Sequence, residues 1–119
     1  MSYEILDNSG GVVTIRLSGK LTYAEFVEGQ KKLGEIIRQQ GRSRGLVLIE
    51  NYLGNEKEGD WGNVSFQAKY DQFIEKMAIV GDRKWEDEAL LFTGKGVRRV
   101  PIEYFEPADL AKAKAWLAT

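Results

Sequence analysis

The sequence predicts an α/β domain, a single-layer βα superhelix around a mostly parallel sheet of about five strands with a leading antiparallel strand. Two observations predict this fold. Apolar runs of strand length alternate with amphipathic helical segments in the order ββαβαβαβα, and repeated βα units joined by short loops require a parallel sheet with right-handed crossovers. The 119 residues contain no repeat and no interdomain linker, so we expect one domain over residues 1–119.

An antiparallel hairpin is predicted at the start of the chain. Residues 3–7 and 12–18 flank the turn Asn8-Ser9-Gly10-Gly11, whose glycines and asparagine adopt the positive φ angles of a tight reversal. Apolar and polar residues alternate in the second strand, which indicates one buried and one solvent-facing side of the sheet. The polar side consists of Thr14, Arg16 and Ser18. If two copies of the chain form a homodimer, we expect the interface to bury this side of the sheet or to extend the sheet at an edge.

A first helix is predicted over residues 22–40, followed by a central strand. Thr22 and Glu25 have the spacing of a capping box, in which each side chain accepts a hydrogen bond from a free amide of the first turn. An apolar stripe continues until Gly41, which offers a left-handed stop. Residues 46–49 form an uninterrupted apolar run, which is typical of a strand in the centre of a parallel sheet.

Residues 50–62 form the longest predicted loop, and a second helix is predicted at 63–76. The loop is rich in charge and glycine, with Tyr52 and Trp61 near its ends, and loops of this length are often functional. The helix has an apolar stripe with i, i+4, i+7 spacing, which predicts packing on the sheet. The stripe consists of Phe66, Tyr70 and Phe73.

The C-terminal part contains two more strands and two more helices. A buried strand at 77–81 precedes a short helix at 83–91. Residues 100–104 alternate as a last strand, where Pro101 lacks an amide donor and therefore favours a sheet edge. Pro107 then stands in the first turn of a terminal helix, the position that proline tolerates best. The inward side of this helix consists of Leu110, Ala113 and Leu117.

Composition excludes most enzyme chemistry. The chain has no His and no Cys, so it cannot build the usual zinc, haem or iron–sulfur ligand sets, nor a Ser-His-Asp or Cys-His pair. Carboxylate pairs such as Asp60 with Asp82, or Glu86 with Glu106, have no spacing that favours acid–base catalysis or a magnesium site. We therefore expect no enzyme, no catalytic residue, no metal and no cofactor.

Charge and hydropathy narrow the range of partners. With 17 basic and 18 acidic residues the net charge is −1, so no broad electrostatic attraction to nucleic acid or anionic membrane is expected. No apolar run approaches the roughly 20 residues of a membrane span. No secretory signal is recognisable, which predicts a cytoplasmic protein. The basic segment 94–99 lacks the Walker spacing, and its Arg98 and Arg99 are expected to protect a sheet edge.

Two segments resemble a known family. Residues 77–85 read MAIVGDRKW and residues 104–117 read YFEPADLAKAKAWL. Both are similar to the SpoIIAA-like proteins, small bacterial domains of STAS type that are related in fold to anti-sigma-factor antagonists and, more loosely, to CRAL-TRIO lipid-carrier domains. The resemblance implies a βα superhelix of four units with a leading antiparallel strand, little expectation of enzymatic activity, and a role in binding a partner protein or a small apolar or anionic ligand.

The regulatory serine of anti-sigma-factor antagonists has no matching motif in this chain. In those proteins a phosphorylated serine lies in a short Asp-Ser-Ser-Gly-like turn, where a helix begins after the central strand. The corresponding residues 51–65 contain no such turn, and Ser65 follows Asn63-Val64 rather than an Asp-Ser pair. We therefore expect Ser65 to be an ordinary residue of the first helical turn.

A ligand site is predicted at the carboxyl edge of the sheet. Ligands of open parallel sheets bind beyond the carboxyl ends of the strands, and aromatic side chains that converge there line apolar pockets. The candidate ligand-binding residues are Tyr52, Trp61, Phe66, Tyr70, Asp82 and Trp85. The alternative is that Trp61 and Trp85 only anchor their segments to the core.

Two functions remain open at this point. The favoured one is a non-enzymatic STAS-like interaction or regulatory module that presents the surface of its first two helices, with Glu25 and Glu28 as candidate residues, to a protein partner. The alternative is a carrier or sensor of a small apolar or anionic ligand. Its pocket would lie between the second and third helices and the 51–61 loop.

Overall fold

A mixed β-sheet forms the centre of the protein in the computed structural model. The structure describes residues 2–61, 65–93 and 100–119, and for residues 91–93 it describes the backbone alone. Within these residues the sheet has five strands that follow one another in chain order. The strands are β1 (Tyr3–Asp7), β2 (Val12–Leu21), β3 (Ser43–Asn55), β4 (Ile74–Val80) and β5 (Ile102–Phe105). The helices are α1 (Tyr23–Gln40), α2 (Ser65–Tyr70), α3 (Glu86–Thr93) and α4 (Leu110–Leu117).

The strand directions confirm the predicted α/β fold. β1 pairs antiparallel with β2, and the other neighbouring strands pair in parallel, with β3 in the centre. Because each parallel strand is added on the same side of the previous one, right-handed crossovers place α1, α2 and α3 on one face of the sheet. We call this side the three-helix face. α4 follows the last strand and packs on the opposite face, against Leu46 and Ala78.

Alternating side chains divide the apolar core between the two faces of the sheet. Val13 and Ile15 of β2 are buried on the three-helix face, where they pack against α1. Ala78 and Val80 of β4 point to the opposite face and pack with Leu117 of α4. The alternation predicted for the second strand and the inward side predicted for the terminal helix are therefore confirmed.

Helix α1 begins and ends where the sequence predicts. Thr22 Oγ1 accepts a hydrogen bond from Glu25 N at 3.2 Å, and the Gly41 amide donates to Ile37 O at 2.8 Å with a φ of 76° at Gly41. Glu25 Oε2 also accepts a hydrogen bond from the Ser2 amide at 3.0 Å. The capping glutamate therefore ties the first strand to this helix as well.

Strands β2 and β3 are longer than predicted. The sequence predicts a loop at 50–62, which is wrong for its first part, because β2 and β3 continue to pair as far as Leu21 and Asn55. The extension is irregular, with register shifts and a φ of 52° at Asn51. One side of it faces solvent, where Leu53 is 75% exposed. Such a strand has no continuous apolar run by which a sequence pattern would identify it.

Helix α2 is shorter than predicted. The sequence predicts a helix over 63–76, whereas α2 ends at Tyr70, a 3₁₀ turn spans Asp71–Phe73, and β4 already begins at Ile74. The prediction is wrong at this end because Ile74 pairs with Ser43 of β3. Strand pairing and burial outweigh a helical apolar pattern in this segment.

The C-terminal elements follow the prediction with small shifts. A 3₁₀ turn at Arg83–Trp85 precedes α3, in place of a single helix over 83–91. β5 lies at the edge of the sheet beside β4, as Pro101 predicts. Pro107 opens the 3₁₀ turn from which α4 continues.

Some predictions concern residues outside those that the structure describes. These are the start of the second helix at residues 63 and 64, and the role of the basic segment 94–99, including Arg98 and Arg99 as edge protection. Among the helices of the described residues, none combines the length and the apolar character that crossing a membrane requires.

Candidate functional site

An apolar cavity of about 140 Å³ lies between the three-helix face of the sheet and the helices that cover it. We call it the sheet–helix cavity. Ile15 and Val47 of the central strands contribute to its floor, and Phe26 of α1, Phe66 of α2 and Ala89 of α3 contribute to its roof. The crossovers hold the three helices over the sheet, and among the described residues the lining between α2 and α3 includes the small side chain of Ala89.

Two aromatic residues form one wall of the sheet–helix cavity. The ring centroids of Tyr52 and Trp85 are 4.9 Å apart at an interplanar angle of 74°, the edge-to-face arrangement that aromatic pairs favour. Burial and, to a lesser degree, the negative charge of Glu88 raise the pKa of Tyr52 to about 12. At neutral pH this residue therefore presents an apolar ring and an uncharged hydroxyl group.

A few polar side chains interrupt the apolar lining. Among the described lining residues these include Gln30, Gln67 and Glu88. Gln67 Oε1 is buried and accepts no hydrogen bond from the described part of the protein, and a buried acceptor without a partner costs about 1–3 kcal/mol. Glu88 is the charged residue of the described lining and is itself exposed to solvent. The described lining is therefore mainly apolar.

The structure brings three of the six predicted ligand residues to this cavity. Tyr52, Phe66 and Trp85 line it from three different elements: β3, α2 and the turn before α3. Trp61, Tyr70 and Asp82 do not belong to its described lining. That these residues bind a ligand stays a prediction.

Trp61 lies outside the cavity, over the start of α1. The centroid of its ring is 5.2 Å from those of both Tyr23 and Phe26, and its Nε1 donates to Glu58 O at 2.9 Å. Glu56 Oε1 accepts a hydrogen bond from the Tyr23 amide at 2.7 Å. The segment after β3 is therefore fastened to α1, and Trp61 has the anchoring role that the sequence offers as the alternative.

Tyr70 and Asp82 make structural contacts of other kinds. Tyr70 is 6% exposed and its hydroxyl accepts a hydrogen bond from Arg38 Nη1 at 2.9 Å. A Cβ atom on Gly34 would lie 2.8 Å from this hydroxyl, so the glycine allows the close approach. Asp82 Oδ1 accepts from Lys84 N at 2.9 Å and caps the 3₁₀ turn before α3.

The two residues predicted for a partner surface lie on the side of α1 that faces β1. Glu25 and Glu28 border a surface depression together with Tyr3. The hydrogen bond from the Ser2 amide is the main cause that lowers the pKa of Glu25, whereas Glu28 is exposed. A separate groove of about 410 Å³ lies between α1 and α2 and includes Lys31. The two glutamates therefore border a different part of the surface from this groove.

Sequence reasoning missed the polar lining residues Gln30, Gln67 and Glu88. A signal for Gln30 was present, because Phe26, Gln30 and Leu33 have the i, i+4, i+7 spacing of the apolar stripe of α1, and a polar residue at such a position faces the core. No comparable signal existed for Gln67, since the extent of its helix differs from the predicted one.

The carboxylates considered for catalysis have other contacts. Glu86 and Glu106 both form ion pairs with Arg83, the second at 2.8 Å, and these interactions raise the pKa of Arg83. Asp60 is exposed. Over the residues that the structure describes, no group of three or more His, Cys, Asp or Glu side chains could hold a metal ion.

Comparison with known proteins identifies the family of the chain. A family model described as SpoIIAA-like matches residues 12–118. Among solved structures, the chain is similar to an uncharacterized protein of the DUF3478 family with a SpoIIAA-like fold from Shewanella loihica PV-4. The TM-score is 0.73 and the sequence identity is 17%, and the alignment covers 97% of this chain and 91% of that chain. At this identity the likeness concerns the fold alone. No curated protein matches the chain.

Proposed function

The chain belongs to the SpoIIAA-like family, and from this premise we propose that it is a non-enzymatic binding module whose ligand is a small apolar molecule. The observation that carries the proposal is the sheet–helix cavity of about 140 Å³. A ligand that covers the apolar side chains of this cavity removes their surface from water, at about 25 cal/mol per Å², and this gain favours the ligand carrier over the partner module.

The size and lining of the cavity indicate the body of the ligand. Benzene occupies an engineered apolar cavity of about 150 Å³ in another protein, so a single ring or a short branched chain has a suitable volume. The edge-to-face pair of Tyr52 and Trp85 supplies an aromatic wall, and Phe66 supplies a further aromatic surface. An apolar ring would make extensive contact with these side chains.

A cavity-filling variant tests this function. We expect toluene to bind the wild-type protein saturably in an NMR titration, with the largest shifts at the indole N–H of Trp85. In Ala89→Leu the added methyl groups occupy the cavity, so the affinity for toluene falls at least about tenfold. Ala115→Leu adds the same atoms at an exposed position of α4 and retains wild-type affinity. Equal affinity of Ala89→Leu and the wild type would contradict the proposal.

A protein partner is the second candidate function. It is supported by the groove between α1 and α2, which has a volume of about 410 Å³ and mixes the charged residues Lys31 and Arg38 with the aromatic rings of Phe66 and Tyr70. Aromatic and arginine side chains are enriched where proteins bind one another. This candidate uses the outer surfaces of the same two helices.

Charge reversals on the two sides of α1 test the partner hypothesis. Lys31→Glu changes the groove and Glu28→Arg changes the depression beside β1, and both residues are exposed. Partners captured by cross-linking are purified and titrated against both variants by calorimetry. We expect one variant to lose about tenfold or more in affinity and the other to bind as the wild type. A partner that binds both variants equally well does not use this surface of α1.

A further inference from the structure

We propose that the outer edge of β1 binds an extended segment of a partner protein, which adds a strand to the sheet and directs Lys or Arg side chains at α1. This edge lies apart from the sheet–helix cavity and from the groove between α1 and α2, so the proposal goes beyond the functions above. Three features support it: the backbone groups at the edge, a depression beside the strand, and the charge of that depression.

The backbone of β1 presents hydrogen-bonding groups at the edge of the sheet. β1 pairs with β2 on one side, and none of the described strands lies on its other side. The Ser18 amide donates to Ser2 O at 3.1 Å, so every second residue from Ser2 onward directs its N–H and C=O groups toward β2. Tyr3 and Ile5 are the intervening residues of the register and direct theirs outward. Such groups are a template for a further strand.

A surface depression of about 410 Å³ lies between this strand and α1. Tyr3 and Ile5 of β1 line one side of it, and the small residues Ala24 and Gly29 are part of the α1 side. The small residues leave space beside the strand. In β-augmentation an extended peptide pairs with an exposed edge strand, and pockets beside that strand receive alternate side chains of the peptide. The depression has the position that this mode of binding requires.

The charge of the depression determines which side chains suit the added strand. Its described lining contains three acidic residues and one basic residue, namely Glu4, Glu25, Glu28 and Lys32. Arg16 pairs with Glu4 at 3.0 Å, which leaves two glutamates of α1 against one lysine. The hydrogen bond from the Ser2 amide lowers the pKa of Glu25, so this carboxylate is charged at neutral pH. Basic side chains on the added strand complement this lining.

The pairing of the strands places these basic side chains at alternate positions. Residues directly opposite Tyr3 and Ile5 share their face of the sheet, and this is the face on which both residues pack with Phe26 of α1. Every second side chain of the added strand therefore faces α1, and the others face away. A segment with Lys or Arg at every second position fits this edge.

The charge disfavours a second copy of the chain as the occupant. Its β1 carries Glu4 and Asp7 and no basic residue. Antiparallel pairing of two β1 edges would also place the glutamates of both α1 helices on the same face of the joined sheet. Like charges that meet across an interface cost affinity, so the occupant is a basic segment of a different protein.

Two octapeptides test the charge of the occupant. The basic probe is acetylated and amidated Thr-Lys-Val-Lys-Val-Lys-Val-Thr, and the acidic probe has Glu in place of each Lys. In an NMR titration we expect saturable binding of the basic probe, with the largest amide shifts at Tyr3 and Ile5, and binding of the acidic probe that is at least about tenfold weaker. Equal affinities overturn the proposal, and so does a basic probe that does not saturate.

Glu28→Arg tests the location. It reverses an exposed charge of the depression, and we expect it to weaken binding of the basic probe at least about threefold. Glu35→Arg reverses an exposed charge of the same helix outside the described lining of the depression and leaves the affinity unchanged. Thermal unfolding shows that both variants are folded. Equal losses in the two variants would mean attraction by overall charge and overturn the proposal.

N-methylation of the basic probe tests pairing through the backbone. A strand directs alternate amides to its two edges, so one version carries N-methyl groups on the three Lys residues and the other on the three Val residues. We expect one version to bind at least about tenfold more weakly than the unmethylated probe and the other to bind equally well. Equal affinities of the two versions overturn the proposal. Concentration-dependent shifts at Tyr3 and Ile5 without a probe would identify a second copy as the occupant and also overturn it.

Discussion

At the scale of single residues, Gln67 offers the most direct test of how the cavity is built. Its buried Oε1 has no partner among the described residues, and replacing such a group by an apolar one of similar size removes a penalty of about 1–3 kcal/mol. We expect Gln67→Leu to raise the free energy of unfolding of the ligand-free protein by about 1 kcal/mol in urea denaturation. A loss of stability in Gln67→Leu would contradict this expectation.

Gly29 provides a second test at this scale, because α1 and β1 approach each other closely at this residue. A Cβ atom at position 29 would lie 2.2 Å from Cδ1 of the Tyr3 ring, and overpacking of this kind costs about 1–3 kcal/mol. The penalty outweighs the higher helix propensity of alanine, which is worth about 1 kcal/mol. We expect Gly29→Ala to lower the free energy of unfolding and the melting temperature.

Gly45→Ala is the matched control for Gly29→Ala. A Cβ atom at Gly45 would lie 3.6 Å from Cγ of Met77, which is an ordinary van der Waals distance. We expect its free energy of unfolding to stay within about 1 kcal/mol of the wild type. Equal losses in the two variants would show that the packing of Tyr3 against α1 is not the cause.

At the scale of the elements, Glu25 joins β1 to α1 and makes this junction sensitive to pH. The hydrogen bond from the Ser2 amide lowers the pKa of Glu25 in the folded protein. Because the folded pKa is lower than the unfolded one, the junction contributes its full stability above the unfolded value of about 4.3. This contribution is lost as the pH falls through the folded pKa.

Glu25→Gln should therefore flatten the acid side of the stability profile. We expect the free energy of unfolding of the variant to fall less than that of the wild type between about pH 5 and pH 3, measured by urea denaturation at each pH. Glu28→Gln removes the charge of an exposed glutamate of the same helix and is the control. The structural role of Glu25 also makes Glu28 the better position for a test of partner binding.

A second junction lies between the segment after β3 and the start of α1. Glu56 Oε1 accepts a hydrogen bond from the Tyr23 amide at 2.7 Å, and this negative charge lies at the positive end of the helix dipole. We expect Glu56→Ala to lower the free energy of unfolding by about 0.5–2 kcal/mol, as the loss of a helix cap does. Glu58→Ala, in the same segment and exposed, should have little effect in the same urea titration.

At the scale of the whole molecule, α4 covers only part of its face of the sheet. It packs against Leu46 of β3 and contacts β4 and β5, whereas on the β1–β2 side Arg16 pairs with Glu4 at 3.0 Å and with Glu50 at 3.9 Å. Leu6 of β1 is 44% exposed. This is the polar side that the sequence assigns to a possible homodimer, and the assignment stays a prediction.

Sedimentation equilibrium over a range of protein concentrations decides the homodimer prediction. We expect the wild-type protein to dimerise and Arg16→Glu to raise the dimer dissociation constant at least about tenfold. In the variant, the new glutamate would lie beside Glu4 and Glu50, so three negative charges would meet on this side of the sheet. Arg42→Glu, which changes an exposed arginine after α1, leaves the association unchanged. A monomer at every concentration would contradict the prediction.

The sequence by itself determined the order of the elements, the fold class and the family. It also located both ends of α1, the central strand and the edge strand. These features depend on local information, since periodicity, the capping residues Thr22 and Glu25 and the stop at Gly41 act within a few residues of the chain. Of the candidate site, the aromatic residues Tyr52 and Trp85 were predictable because aromatics are expected at the ends of central strands.

Only the tertiary structure decided how far β3 extends, where α2 ends and which side chains share the cavity. Pairing with β2 carries β3 to Asn55, and pairing with β3 starts β4 at Ile74, against the local pattern in both cases. In the part of the chain that the structure describes, the cavity lies between three helices and the sheet, and its shape depends on packing between segments far apart in the chain. For that reason the sequence pattern did not identify Gln67 and Glu88 as lining residues of the cavity.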